Sequence, residues 1–198
     1  MGRMTRFRVA IRAGHGGEDR GAVHDRLDEA DLNYLLTVDV MQALTGTGYD
    51  VRLVRMGDET LSLEEGNDRM LPWRPHLVVE IHHNASHSGY VRGMEIYHWP
   101  ENHPTELLCH VAASACPVEV RTEKVFAATD LPGEHDDWML PPRAILGAYD
   151  SPSILVEACY LTNALDVSYL AQRRSRQALA TCIRAPIVRA SDLLGGNS

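Results

Sequence analysis

Leu77-Val78-Val79-Glu80-Ile81-His82 places four apolar residues in six without one-sided alternation, the pattern of a strand covered on both faces. Toward the N-terminus, Asp50 to Arg55 reads as a strand and Leu63 to Met70 as a short helix. From Asp28 the spacing Leu32, Leu35, Leu36, Val40, Ala43, Leu44 is the i, i+3, i+4 stripe of an amphipathic helix, which stops at Gly46 and Gly48. Residues 6–13, Arg-Phe-Arg-Val-Ala-Ile-Arg-Ala, alternate basic and apolar before the break Gly14-His15-Gly16-Gly17, so a strand runs into a loop there. Toward the C-terminus, Gly93 to Trp99 supplies a further strand, Glu106 to Cys116 a helix, and Ser153 to Leu161 a second buried-type strand. Residues 117–150, with Pro132, Gly133, Pro141, Pro142 and an acidic stretch, read as loop. Helical sequence follows from about Asp166 to Leu194, expected to break or kink at Pro186. Strands alternating with helices in this order define an α/β protein.

Bulk properties narrow the function. The 198 residues are 44% apolar and 23% charged, the ordinary globular range, which predicts one domain over 1–198 with its core at about residues 6–190. A net charge of −8 with scattered arginines argues against nucleic-acid binding. No apolar run approaches the ~20 residues that span a bilayer, so no membrane insertion is expected. The first residues lack the apolar core of a signal peptide, which sets the expectation of a protein made in the cytoplasm. Cys109, Cys116, Cys159 and Cys182 form no CxxC pair and read as reduced core thiols. The ten histidines make a metal site worth seeking.

In open α/β sheets, ligands collect at the carboxyl ends of strands. His15 follows the first strand and is flanked by glycines, His82 ends the apolar strand, and Glu29 opens the first helix. Two imidazoles and a carboxylate from three elements are the His₂Glu set of zinc hydrolases, which leaves a fourth position for water. Each residue alone also suits a bland role: a hydrogen-bonded histidine, or a first-turn acid favoured by the helix dipole. Glu157 is harder to explain away, because a carboxylate within Ile-Leu-Val-Glu-Ala-Cys-Tyr faces a desolvation cost unless a cation or a proton compensates it. A buried pair with an arginine such as Arg143 is the alternative. His83, Asn84 and Glu95 are candidates for substrate binding at a groove wall, and Trp73, Trp99 and Trp138 for stacking on sugars.

Several segments occur together in the order found in one family. Ile11-Arg-Ala-Gly-His15-Gly-Gly-Glu-Asp-Arg-Gly-Ala22, Glu29, Gly48 to Arg55, Ile81-His82-His-Asn84-Ala, Gly93-Met-Glu-Ile-Tyr97 and Leu155-Val-Glu157-Ala-Cys-Tyr-Leu-Thr-Asn163 resemble the zinc-dependent N-acetylmuramoyl-L-alanine amidases of type 3. The resemblance covers about Val9 to Ile183. It implies a twisted mixed β-sheet flanked by α-helices, zinc (Zn2+) on His15, Glu29 and His82, and a catalytic role for Glu157. The implied reaction cleaves the amide between N-acetylmuramic acid and the L-alanine of the stem peptide in bacterial peptidoglycan. A monomer acting on the cell wall is expected, endolysin-like and released by a phage holin, or else a trimmed domain of a larger wall enzyme. Readings left open are a zinc carboxypeptidase or N-acyl amino-acid deacylase acting on small substrates, and a peptidoglycan-binding module whose catalysis has decayed.

The chain also departs from the family pattern. Arg12 stands where an acidic residue and proline often precede the glycine, Glu80 replaces a small polar residue, and His83 occupies a small position. Glu65-Gly-Asn-Asp-Arg-Met does not show the familiar Arg-Ala-x-x-Ala-Asn segment of the second helix. Ile96 to Glu106 passes from strand to helix without the inserted helix that covers the zinc in regulated members, so an open site is expected.

Overall fold

The computed structural model describes residues 6–98, 103–117, 125–127 and 151–194. Its main sheet has six strands in the order β4-β1-β5-β8-β6-β7: β1 (Arg8–Ala13), β4 (Asp50–Leu53), β5 (Leu77–Asn84), β6 (Glu95–His98), β7 (Val125–Ala127) and β8 (Ser153–Tyr160). β1 pairs in parallel with β4 and β5, and β5 in parallel with β8, whereas β6 runs antiparallel to β8. The sheet is therefore mixed, and β5 sits at its middle, buried at all eight positions as its apolar run predicts. A two-stranded hairpin, β2 (Val23–His24) with β3 (Leu27–Asp28), lies apart from it.

The described helices are α1 (Glu29–Ala43), α2 (Leu63–Met70), α3 (His103–Ala115), α4 (Ala164–Leu170) and α5 (Arg173–Leu194). Alternation along the strands divides the core between two faces. Val9, Ile11, Leu77, Val79, Ile81, Ile96, Ile154 and Val156 pack with Leu36 and Val40 of α1, Leu108 of α3 and Leu179 and Ile183 of α5. Their neighbours Ala10, Val78, Tyr97 and Leu155 turn to the other face, where they meet Met70 of α2. Residues of that second parity that lie further along the strands, His82, Glu157 and Glu95, are thereby kept off the helix-packed core.

Two expectations are corrected. The C-terminal helical segment divides at Ala171 and Gln172, and α5 runs through Pro186 as one helix. Pro186 lies on the buried stripe with Cys182, Ile183, Ile187 and Ala190, so packing of that face outweighs the lost hydrogen bond. The stretch 117–150, read as loop, contains edge strand β7, whose three residues are too few to show a period. Cys109, Cys159 and Cys182 are buried free thiols and Cys116 is half-buried, as anticipated.

Candidate metal centre

The site is assembled at the edge of the sheet where β1 and β5 end. After β1 the chain turns through consecutive left-handed residues, His15 (φ 60°), Gly16 (φ 131°) and Gly17 (φ 61°). A histidine in this region is strained and marks a position held by its surroundings. Asp28 caps α1 by accepting from the Asp31 backbone N–H at 3.0 Å, which fixes Glu29 as the first helical residue beneath the loop. His82 comes from β5 and shares its sheet register with Glu157 of β8, which in turn pairs with Glu95 of β6.

His15, Glu29 and His82 converge, with one nitrogen or oxygen from each lying within 4.8 Å of the others. The Glu29 carboxylate, only 1% exposed, bridges the two rings: Oε2 is 3.1 Å from His15 Nε2 and Oε1 is 3.0 Å from His82 Nδ1. Three donors fix it in place, Asn33 Nδ2 (3.1 Å) and the His83 backbone N–H (3.2 Å) onto Oε1, and the Ala22 N–H (3.0 Å) onto Oε2. The imidazoles stand edge to face with centroids 5.1 Å apart. Room for them comes from two glycines. A Cβ on Gly14 would sit 2.1 Å from His82 Cε1, and one on Gly21 would sit 2.6 Å from Glu29 Oε2.

These residues fit a divalent ion. His15 Nε2 is buried and makes no hydrogen bond, although the Glu29 oxygen is close. Two atoms that near each other without hydrogen-bond alignment suit two donors aimed at a shared cation, and a tetrahedral zinc with ligands at ~2.0–2.2 Å sets its ligand atoms about 3.3 Å apart. Burial lowers the basicity of His15, but Glu29 and Asp19 outweigh it and raise its pKa to about 9. Glu29 is the converse: burial raises its pKa, and the two histidines carry it well below the usual carboxylate range.

Sequence reasoning missed two contributors. Asp19 Oδ2 lies 2.9 Å from His15 Nδ1, where it accepts that N–H and leaves Nε2 free to ligate, the carboxylate–histidine arrangement that orients metal-bound imidazoles. Its signal was spacing, since Asp19 stands four residues after His15 in a glycine-rich loop. Asn33, one helical turn after Glu29, donates to both Glu29 and the Gly14 carbonyl.

Glu157 is 1% exposed, and its Oε2 is buried without a hydrogen-bond partner. Burial, then the charges of Glu29 and Glu95, hold its pKa well above the usual carboxylate value. The alternative partner Arg143 lies outside the described residues, as do Trp99 and Trp138. Trp73 packs under Arg52, whose guanidinium carbon is 4.3 Å from the ring centroid, ahead of β5 and away from its carboxyl end. His83 turns to the helix face, with Nδ1 2.8 Å from Asn33 Oδ1, and burial depresses its pKa to about 4. Asn84 and Glu95 are brought together: Glu95 accepts from Asn84 Nδ2 (3.0 Å), Tyr97 Oη (2.8 Å) and Tyr160 Oη (2.5 Å), all buried.

Fold and site together describe an α/β protein with a candidate His/Glu/His metal site at the carboxyl edge of a mixed sheet. The family model for N-acetylmuramoyl-L-alanine amidases matches residues 9–189, and the chain belongs to that family. It is 28% identical over 165 residues to the N-acetylmuramoyl-L-alanine amidase LytC of Bacillus subtilis (strain 168), covering 83% of this chain and 31% of LytC. It is 27% identical over 175 residues to YqiI of the same organism, covering 88% of this chain and 80% of YqiI. The chain thus spans about a third of the length of LytC. Among solved structures, the catalytic domain of CwlV from Bacillus (Paenibacillus) polymyxa var. colistinus superposes with a TM-score of 0.78 at 23% identity, covering 93% of this chain and 98% of that one.

Proposed function

We propose that the chain is a zinc-dependent peptidoglycan amidase that hydrolyses the bond between N-acetylmuramic acid and the L-alanine of the stem peptide. The observation that carries this reading is the convergence of His15, Glu29 and His82 beside Glu157 inside the segment matched by the amidase family. His15, Glu29 and His82 would hold the ion. Bound there, zinc would supply Lewis-acid polarisation of the lactyl carbonyl and a lowered pKa for water.

The rest of the chemistry belongs to the chain. Asp19 holds the His15 ring in the tautomer whose Nε2 lone pair faces the site. Glu157 takes the proton of the attacking water and delivers it to the departing L-alanine nitrogen, a double duty that suits a carboxyl whose proton affinity is raised. Glu95, which accepts from Asn84, Tyr97 and Tyr160, is the hydrogen-bonded member of this carboxylate pair. Asn84 and Glu95 form the wall of the substrate groove beside Glu157, and His83 backs it from the helix side.

We further propose one monomeric domain with an endolysin-like, bacteriolytic role, made in the cytoplasm and acting on the wall. An open site is part of the same proposal.

The test is digestion of purified peptidoglycan by the zinc-loaded protein, with mass spectrometry of the new ends. Free L-alanine amino termini that vanish with chelator and return with zinc are expected. Intact wall in the presence of protein carrying one zinc per chain would overturn the substrate.

A further inference from the structure

Arg55 follows β4 and is 2% exposed. A buried guanidinium is ordinarily matched by a carboxylate. Here every hydrogen bond it makes ends on a backbone carbonyl: Nε to Ala13 O (3.3 Å), Nη1 to Gly57 O (2.5 Å), and Nη2 to Gly14 O (3.4 Å) and Ala30 O (2.8 Å). The Tyr34 ring of α1 lies against it, 5.3 Å from Cζ to the centroid. Gly16 lets it in, since a Cβ there would come within 2.8 Å of Arg55 Cδ. Burial draws the guanidinium pKa down, so this placement is costly and calls for a return.

The carbonyls identify that return. Gly14 O belongs to the peptide unit whose nitrogen is that of His15, and Ala30 immediately follows Glu29. One planar fork therefore grips the loop that carries one candidate ligand and the helix turn that carries another. It ties both to the segment after β4. Without it, a loop passing through His15, Gly16, Gly17 and Gly21 at positive φ has many other conformations, and ordering it would be charged to metal binding.

We propose that Arg55 is a positioning residue of the metal centre, locking the His15 loop and the first turn of α1 into one preformed body before an ion arrives. This rests on the reading of His15, Glu29 and His82 as metal ligands. Lysine cannot replace it, because three donors on a single atom do not span carbonyls on opposite sides of a planar fork.

The experiment begins with zinc stoichiometry and chelator-competition affinity of the wild-type protein, then of Arg55→Lys and Arg55→Met. Thermal unfolding is followed with and without zinc. A wild-type chain that binds one zinc, with variants binding it about 10–100-fold more weakly and showing a smaller zinc-induced rise in Tm, is the expected result. A purely structural arginine would lower the Tm of apo and zinc forms together and leave that increment unchanged. In parallel, NMR of the metal-free wild-type protein should show the Arg55 Nε–H protected from solvent exchange. Variants that bind zinc as tightly as wild type, or an Nε–H that is protected only after zinc is added, would overturn the proposal. If neither variant folds, the exchange measurement decides. A wild-type chain that binds no zinc would instead sink the ligand reading, and the protection of Arg55 would still report whether the lock exists.

Discussion

Glu157 and Glu95 face each other across β8 and β6, yet their surroundings drive them apart. Glu95 receives three side-chain donors, whereas Glu157 has a buried oxygen with none and a raised pKa. Two carboxyls so differentiated take different roles, and the one that can exchange a proton is Glu157. Glu157→Gln should therefore keep one zinc per chain and lower kcat by about 10²–10⁴-fold on a muramoyl-peptide, which metal analysis and turnover on one preparation would show. A second outcome follows from His15. Its pKa is raised to about 9, above the ordinary 6.5, so its charged contacts with Glu29 and Asp19 stabilise the metal-free fold fully below pH 6.5. That contribution is lost as pH rises through 9. Zinc must displace the same proton. Between pH 6.5 and 9 the Tm of the apo-protein should fall while the zinc-induced increment grows, and scanning calorimetry at several pH values would reveal either trend failing.

At the scale of elements, the pieces with a clear pattern were legible: the apolar runs of β5 and β8 are buried, and α1 buries Leu32, Leu36 and Val40 of its stripe, whereas Leu35 is exposed. Hairpin β2–β3 was not, because two-residue strands carry no alternation. The division of the C-terminal helix was also misplaced, since Pro186 is the obvious breaker by local chemistry and tertiary burial overrode it. The connection from β1 to α1 shows what a loop needs beyond its ligands. Gly14 does not require a left-handed backbone; its missing side chain is filled by the His82 ring from another strand. Gly14→Ala should accordingly leave the apo fold close to wild type while the new Cβ displaces the ring. Zinc affinity should fall by at least ~10-fold, a size in keeping with changes that disturb ligand orientation. Chelator competition measures it. Unchanged affinity would mean that His82 is not held where its ring now packs.

For the whole molecule, the three residues that converge, His15, Glu29 and His82, were readable because they sit in motifs, whereas their supports were harder to see. Asp19, Asn33 and Arg55 act through the folded loop, and nothing in a linear reading brings Arg55 to the carbonyls of Ala13, Gly14 and Ala30. Three of the departures from the family pattern, Arg12, Glu80 and the Glu65–Met70 segment, lie together in the fold. Arg12 and Glu80 are register partners on β1 and β5, with Nε 3.9 Å from the carboxylate, both buried, and Arg12 also reaches the Ser62 carbonyl. Gly66 of α2 completes the set, as a Cβ there would meet the Arg12 guanidinium at 2.9 Å. One strand carries the cation, its neighbour the anion, and the helix above has no side chain at Gly66 to crowd the guanidinium. Removing one half of a buried ion pair is strongly destabilising. Arg12→Leu and Glu80→Leu should each cost about 3–5 kcal/mol in denaturant unfolding. The double variant should cost less than the sum of the two, with a coupling energy of about 1–3 kcal/mol. Strict additivity would show that each residue answers to other neighbours. Coupling of the expected size would make Arg12 and Glu80 a single unit of stability that ties β1 to β5, the strand that also carries His82.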